Sequence, residues 1–192
     1  MALTTKLEAV NIMVSVIGES PVNTLSGTSV PVTVTQAVHA LEETSKAIQS
    51  EGWHYNTEYD YPLVPDSVTS KITLPVNTLK VDLDPEIYTD SDPVQRGLTL
   101  YDRKNHRDTW TKDLKAIITF ELEFEELPEQ FRHYIAVKSA RIFAARFLGS
   151  REIEGFALRD EIEAKPRAIE SDSENADRTI FDNYSVLRVL DR

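Results

Sequence analysis

The chain has 192 residues, a net charge of −11, no cysteine and six glycines; 41% of its residues are hydrophobic and 28% charged. That suffices for a globule with a core, as one domain with an insertion or as two small domains. It excludes disulfides, thiolate catalysis and zinc–sulfur sites. It also argues against a protein that grips nucleic acid, where each phosphate contact needs a Lys or Arg. No apolar run approaches the ~20 residues that span a bilayer. Lys6 and Glu8 interrupt the stretch where a leader would need an apolar core, so the expectation is a soluble protein, made without export and with no membrane contact.

Thr4 or Thr5 is placed to cap a first helix through about Ile17, with Leu7, Val10, Val14 and Ile17 as its stripe and Gly18 as its stop. A Ser-, Thr- and Gly-rich connector leads to a second helix, from Thr33 or Thr35 to Glu51, that turns Val34, Ala37, Val38, Leu41 and Ile48 inward before Gly52. From His54 the period changes. Ile72 to Leu74 and Leu79 to Leu83 read as strands, with Pro75 as a break. Leu98 to Trp110 reads as a hairpin turning near Lys104, Asn105 and His106. Ile118 to Glu125 is the cleanest strand, with Ile118, Phe120, Leu122 and Phe124 on one face and Thr119, Glu121, Glu123 and Glu125 on the other.

Pro128 and Glu129 open a long apolar helix to Leu148, closed by Gly149; Ser150 can cap the next. That fourth helix carries Ile153, Phe156, Ala157 and Ile162 on its apolar side; Pro166 should kink or end it, and 171–178 should be irregular. The fold predicted is α+β: a four-helix bundle with an inserted small antiparallel β domain and an extended C-terminal tail. Its parts are 1–53 (helices 1 and 2), 54–125 (β insertion), 126–170 (helices 3 and 4) and 171–192 (tail).

Motifs for catalysis are weak. His39, His54, His106 and His133 are scattered, without metal-ligand spacing. Asp82/Asp84 and Asp90/Asp92 lack the Gly and distal Glu of a calcium loop. No nucleophile elbow, P-loop or dinucleotide fingerprint is present. Neither a metal nor a cofactor is expected. Glu121, Glu123 and Glu125 could supply the paired carboxylates of a hydrolase acting on polysaccharide or cell wall. The plainer reading is a solvated strand face that discourages edge pairing. Arg132, Lys138, Arg141 and Arg146 project from the third helix and are expected to meet acidic neighbours rather than DNA phosphates. The tail is the strongest anomaly. Ile180, Phe181, Tyr184, Val186, Leu187, Val189 and Leu190 crowd into eleven residues after a polar break. Such a segment either folds back on the bundle or inserts into a partner, and the second reading is preferred.

Three blocks resemble a known family. Ala9 to Leu25 (AVNIMVSVIGESPVNTL) and Ile48 to Asn56 (IQSEGWHYN) are the first two; the third is Leu127 to Ile135 (LPEQFRHYI), continued by RFLG at 146–149 and EIEG at 152–155. A smaller match is Leu100 to Arg103 (LYDR). Together they are similar to tail tubular protein A, the head-to-tail adaptor or gatekeeper of short-tailed double-stranded DNA phages. The resemblance implies a non-enzymatic virion tail protein, assembled in the host cytoplasm as a homo-oligomeric ring of about twelve copies. The ring would sit between the portal protein and the tail nozzle (tail tubular protein B), and double-stranded DNA would pass through without specific binding. On that basis Ile180, Phe181, Tyr184, Val186, Leu187 and Leu190 become portal-binding anchors, and Glu121, Glu123 and Glu125 channel-facing acids.

Overall fold

The chain begins its first helix where the sequence supplies a complete cap. In the computed structural model, which describes residues 3–27, 30–148 and 151–176, α1 spans Lys6–Val16. The Thr5 hydroxyl accepts from Glu8 N at 3.2 Å, and the Glu8 carboxylate accepts from Thr5 N at 2.8 Å. These reciprocal bonds satisfy two of the free amides at the helix start. The bond from the Thr5 amide, and after it one from the Thr5 hydroxyl to the same carboxylate at 3.0 Å, hold the Glu8 carboxyl below its usual range. The buried residues are Ala9, Val10, Met13 and Val14. The packed face is therefore rotated from the predicted stripe, and Leu7 and Ile17 lie half-buried at its margins. Gly18, with φ +82°, takes the left-handed conformation that stops the helix. The Asn11 side chain then pairs with both backbone groups of Val22, at 3.0 and 2.8 Å, folding the connector back on α1.

Three further helices are described: α2 (Val32–Gln49), α3 (Glu129–Leu148) and α4 (Arg151–Asn175). The described residues divide into two units, one drawn from 1–45 and 124–192, the other Lys46–Glu123. In the first unit α3 packs against both α1 and α4. Phe131, Tyr134, Ile135, Ala136, Ala140, Phe143 and Ala144 of α3 are buried, as the predicted central helix requires. Ile142 is only half-buried and Phe147 is exposed. Gly149 and Ser150, expected to stop one helix and cap the next, lie outside the described residues, as do the side chains at 148 and 151–157.

α4 departs from expectation twice. It runs through Pro166 and continues over 171–175. Proline inside a helix costs about 3 kcal/mol by removing one hydrogen bond and crowding the preceding turn. Burial of Ala164, Ala168 and Asp172 at successive i, i+4 positions gives α4 the side on which it is held. Ile162, assigned from sequence to the packed side, is 62% exposed. Ile153, Phe156 and Ala157 fall among the undescribed side chains.

The second unit holds a three-stranded antiparallel sheet in the order β1–β5–β2, formed by β1 (Thr57–Leu63), β2 (Thr78–Leu83) and β5 (Leu114–Phe120), and a two-stranded hairpin of β3 (Pro93–Arg96) and β4 (Thr99–Asp102). Leu63, Ile72, Leu74, Leu100, Trp110 and Ile118 belong to one core cluster in this unit. β2 matches its predicted strand closely. Ile72 to Leu74 makes only isolated bridges, Lys71 to Thr109 and Thr73 to Thr99. β4 pairs with β3 across Gly97 (φ +61°), not with 107–110; an isolated Asp102–Arg107 bridge closes the predicted turn over Lys104 to His106.

The predicted strand Ile118 to Glu125 is corrected: β5 lies earlier and ends at Phe120. Its last ladder partners are Thr57, opposite Thr119, and Thr78, opposite Phe120. Beyond them no strand continues to receive its backbone, so side chains take over. Asn77 brackets Glu121: its backbone carbonyl accepts the Glu121 N–H at 2.7 Å, and its side-chain amide donates to the Glu121 carbonyl at 3.1 Å. The buried Gln49 amide pairs with both backbone groups of Leu122, at 3.0 and 2.8 Å. Residues Phe124–Glu126 then form a 3-10 turn.

Candidate assembly surfaces

The basic residues of α3 divide between ordering the chain and marking its surface. Arg132 is 5% exposed and donates to three carbonyls: Leu127 at 2.7 Å, Thr4 at 3.0 Å, and Glu125. The Glu129 carboxylate, one turn earlier, accepts the Thr4 N–H at 2.8 Å and its hydroxyl at 2.5 Å. Thr4 is thus held by both its donors and its acceptor. Arg141 pairs with Glu161 of α4, and Arg146 pairs with Glu43 of α2 at 2.7 Å. Lys138 sits near the Tyr134 hydroxyl, 3.4 Å away. The expectation of acidic neighbours holds for Arg141 and Arg146, whereas Arg132 serves backbone oxygens.

Arg146 and Glu43 form the rim of a groove between α2 and α3, with a volume of about 360 Å³. Ala40 and Phe143 are its buried apolar residues, and Phe147, 47% exposed, is its open aromatic wall. The Phe143 and Phe147 rings lie 5.7 Å apart. His39 lies beside them, with Nδ1 3.9 Å from the Glu42 carboxylate. The Arg146 hydrogen bond and charge hold the Glu43 carboxyl below its ordinary range, and Glu43 raises Arg146 in turn. Its two charges are engaged by each other, Gln36 and His39 are its remaining polar lining, and it lies at the bottom of the roughly 300–1,000 Å³ range of small-ligand sites.

A second apolar surface lies on α4, where Leu158, Ile162 and Ile169 are 44%, 62% and 41% exposed. Of the three, the sequence singles out only Ile162, and on the packed side. At about 100° per residue they fall within roughly 40° of arc, about 100° round the helix from the Ala164–Ala168–Asp172 line.

The three acidic candidates do not share one strand face. Glu121 follows the end of β5 and meets Lys46 at 3.3 Å. Glu123 lies beyond the strand, and Glu125 lies in the 3-10 turn, where its carboxylate accepts from Lys6 N at 3.3 Å. The β5 scaffold on which paired carboxylates were imagined is therefore not formed. Asp82, Asp84 and Asp92 are engaged with Leu83 N, Glu86 N and Arg103 respectively. Among the described residues no three His, Asp or Glu are grouped so as to hold a metal ion, and no helix is long and apolar enough to cross a membrane. The anchors Ile180, Phe181, Tyr184, Val186, Leu187 and Leu190 lie outside the described residues.

Asp102, noted in the sequence only as part of the Leu100 to Arg103 match, is fully buried and organises the turn after β4. It accepts from the amides of Asp92, Lys104 and Asn105 at 3.1–3.2 Å and from the Asn105 side chain at 2.7 Å. Burial alone would raise its carboxyl, but these hydrogen bonds outweigh it and keep the group below the usual range.

No curated protein sequence gives a significant match to the chain. The family described as tail tubular protein matches residues 7–178, nearly the whole length and both units. That span agrees with the three sequence blocks, which lie in both. The chain belongs to the tail tubular protein family and is a structural protein of the phage virion tail.

Proposed function

We propose that the chain is the adaptor of a short phage tail: a non-catalytic ring of about twelve copies that joins the capsid portal to the tail nozzle and completes the channel for double-stranded DNA. The observation that carries this reading is the family match across residues 7–178. Support comes from the chemistry of the surfaces, where grooves and stripes are apolar and the conspicuous charges are engaged with each other or with backbone.

The C-terminal segment is the portal anchor, with Ile180, Phe181, Tyr184, Val186, Leu187 and Leu190 inserting into the portal. Aromatic residues are enriched at interface centres. The net charge of −11 gives a ring of twelve about 130 negative charges, enough to keep the duplex from sticking to the wall. Glu121, Glu123 and Glu125 belong to that acidic wall. The β insertion, residues 54–125, meets neighbouring copies and the nozzle, tail tubular protein B, and the ring is assembled in the host cytoplasm before it is part of the virion.

Deleting residues 179–192 tests the anchor. The truncated chain should keep its helical circular dichroism and lose co-sedimentation with the portal. Undiminished co-sedimentation overturns the anchor assignment. A density map with a basic channel wall overturns the acidic one.

A further inference from the structure

We propose that neighbouring copies meet head to tail, with the α4 stripe of one copy (Leu158, Ile162 and Ile169) seated in the α2/α3 groove of the next, against Ala40, Phe143 and Phe147. This rests on the ring reading above and adds the surfaces that would close the ring.

The stripe is misplaced for a monomer. The outward side of a surface helix is ordinarily polar, and an apolar line beside the packed face marks a contact. The groove is its counterpart in shape: apolar within, with an exposed aromatic wall and a charged rim. Lys165 lies about 40° round α4 from the middle of the stripe and Glu43 lies on the groove rim, so unlike charges can oppose one another and set the register.

Placement distinguishes a head-to-tail contact from a two-fold one. Arg141 meets α4 through Glu161. Phe143 is two residues on, about 200° round the axis of α3, so the groove opens on the side of α3 turned away from α4. Stripe and groove are thus different patches on different flanks of one unit. A two-fold dimer uses one patch twice; two unlike, complementary patches generate a ring when the rotation closes.

Glu161 is level with Arg141, so the groove lies about 25 Å back along the helix from residue 176, at ~1.5 Å per residue. At ~3.4 Å per residue of extended chain, Phe181 does not reach it from 176, but residues from about 184 onward do. Occupation of the groove by the same molecule's C-terminal segment is therefore an outcome of the test below: it gives a ring without the mixed pair.

The absence of cysteine makes the test clean. Tails are assembled from equal amounts of two full-length single-cysteine chains, Ile162→Cys and Phe147→Cys, and oxidised. The expected product is a linked pair containing one of each chain, with no pair when either variant is assembled alone. Self-linking by Ile162→Cys indicates α4 against α4 and overturns the proposal. So does a multi-copy ring, seen by electron microscopy, that yields no mixed pair; in that case the ring reading survives. Tails carrying a single copy overturn both. As a second readout, Ile162→Glu should leave the isolated chain's thermal melt unchanged and cut incorporation at least about tenfold. Full incorporation of Ile162→Glu also overturns the proposal.

Discussion

The helical unit and the unit Lys46–Glu123 put buried side chains of opposite sign, Arg132 in the first and Asp102 in the second, to the same use. Arg132 collects the carbonyls of Thr4, Glu125 and Leu127. Asp102 collects the amides of Asp92, Lys104 and Asn105 and the Asn105 side chain, with Arg107 farther off at 3.7 Å. Regular elements satisfy their own backbone groups; irregular segments do not. In the first unit the unpaired groups are oxygens around the start of α3, so a cation gathers them. In the second they are N–H groups around a turn, so an anion does. Apolar periodicity explains where the helices and strands lie. The buried charges explain the course of the chain between them.

The largest effect should come from Arg132→Met, which keeps much of the side chain's length and leaves three carbonyls without their donor. We expect a loss on the order of 3–5 kcal/mol in urea unfolding followed by helical ellipticity. Both tryptophans, Trp53 and Trp110, lie in the second unit, so fluorescence should shift less than ellipticity. A loss under about 0.5 kcal/mol would show that Arg132 merely occupies space, and the parallel with Asp102 would fail.

The apolar skeleton of both units was legible in the sequence because burial imposes a period. α1, α2 and α3, with their Thr5, Gly18 and Gly52 boundaries, follow from it, as does β2. β1 was not legible: TEYDYPL is largely exposed, bulges between Glu58 and Tyr61 and places Asp60 at φ 56°. The end of β5 was not legible either, because Leu122 and Phe124 continue the alternation while the ladder has run out of partners. Residues 171–175 looked too polar for a helix, yet Ala164, Ala168 and Asp172 hold α4 along one line. The surfaces were the least legible. Arg132 read as a helix-surface charge, since sequence displays the charge and not the carbonyls that surround it. Ile162 read as an ordinary core position and Leu158 and Ile169 did not stand out, since sequence does not say which side of α4 faces its neighbours.

Asp102→Asn should come second, costing about 1–3 kcal/mol, because the amide keeps the shape but loses the charge and turns an N–H₂ toward the donors. The pH dependence follows from the depressed carboxyl. A group whose pKa is lower folded than unfolded stabilises above its unfolded value, about 3.9, and loses that contribution as pH falls through the folded one. The gap in melting temperature between wild type and Asp102→Asn should therefore be full at neutral pH and shrink below about pH 4. A gap that stayed constant into acid would assign the effect to packing and remove the charge from the comparison.

Glu43 supplies the contrast that isolates burial from charge. Its carboxyl is also held low, by the hydrogen bond and charge of Arg146. Linkage gives it the same sign as Asp102, with stability present above the unfolded value and lost on acidification. Both partners, however, are more than half exposed, and solvent and salt screen such pairs until little remains. Glu43→Gln should leave the melting temperature of the isolated chain where it was, and its acid limb should superimpose on that of the wild type. Differential scanning at pH 7 and pH 3 reads both. If Glu43→Gln instead lowered stability as far as Asp102→Asn, ion pairing rather than burial among backbone groups would be what distinguishes the charges that matter, and Arg132 and Asp102 would lose their common explanation.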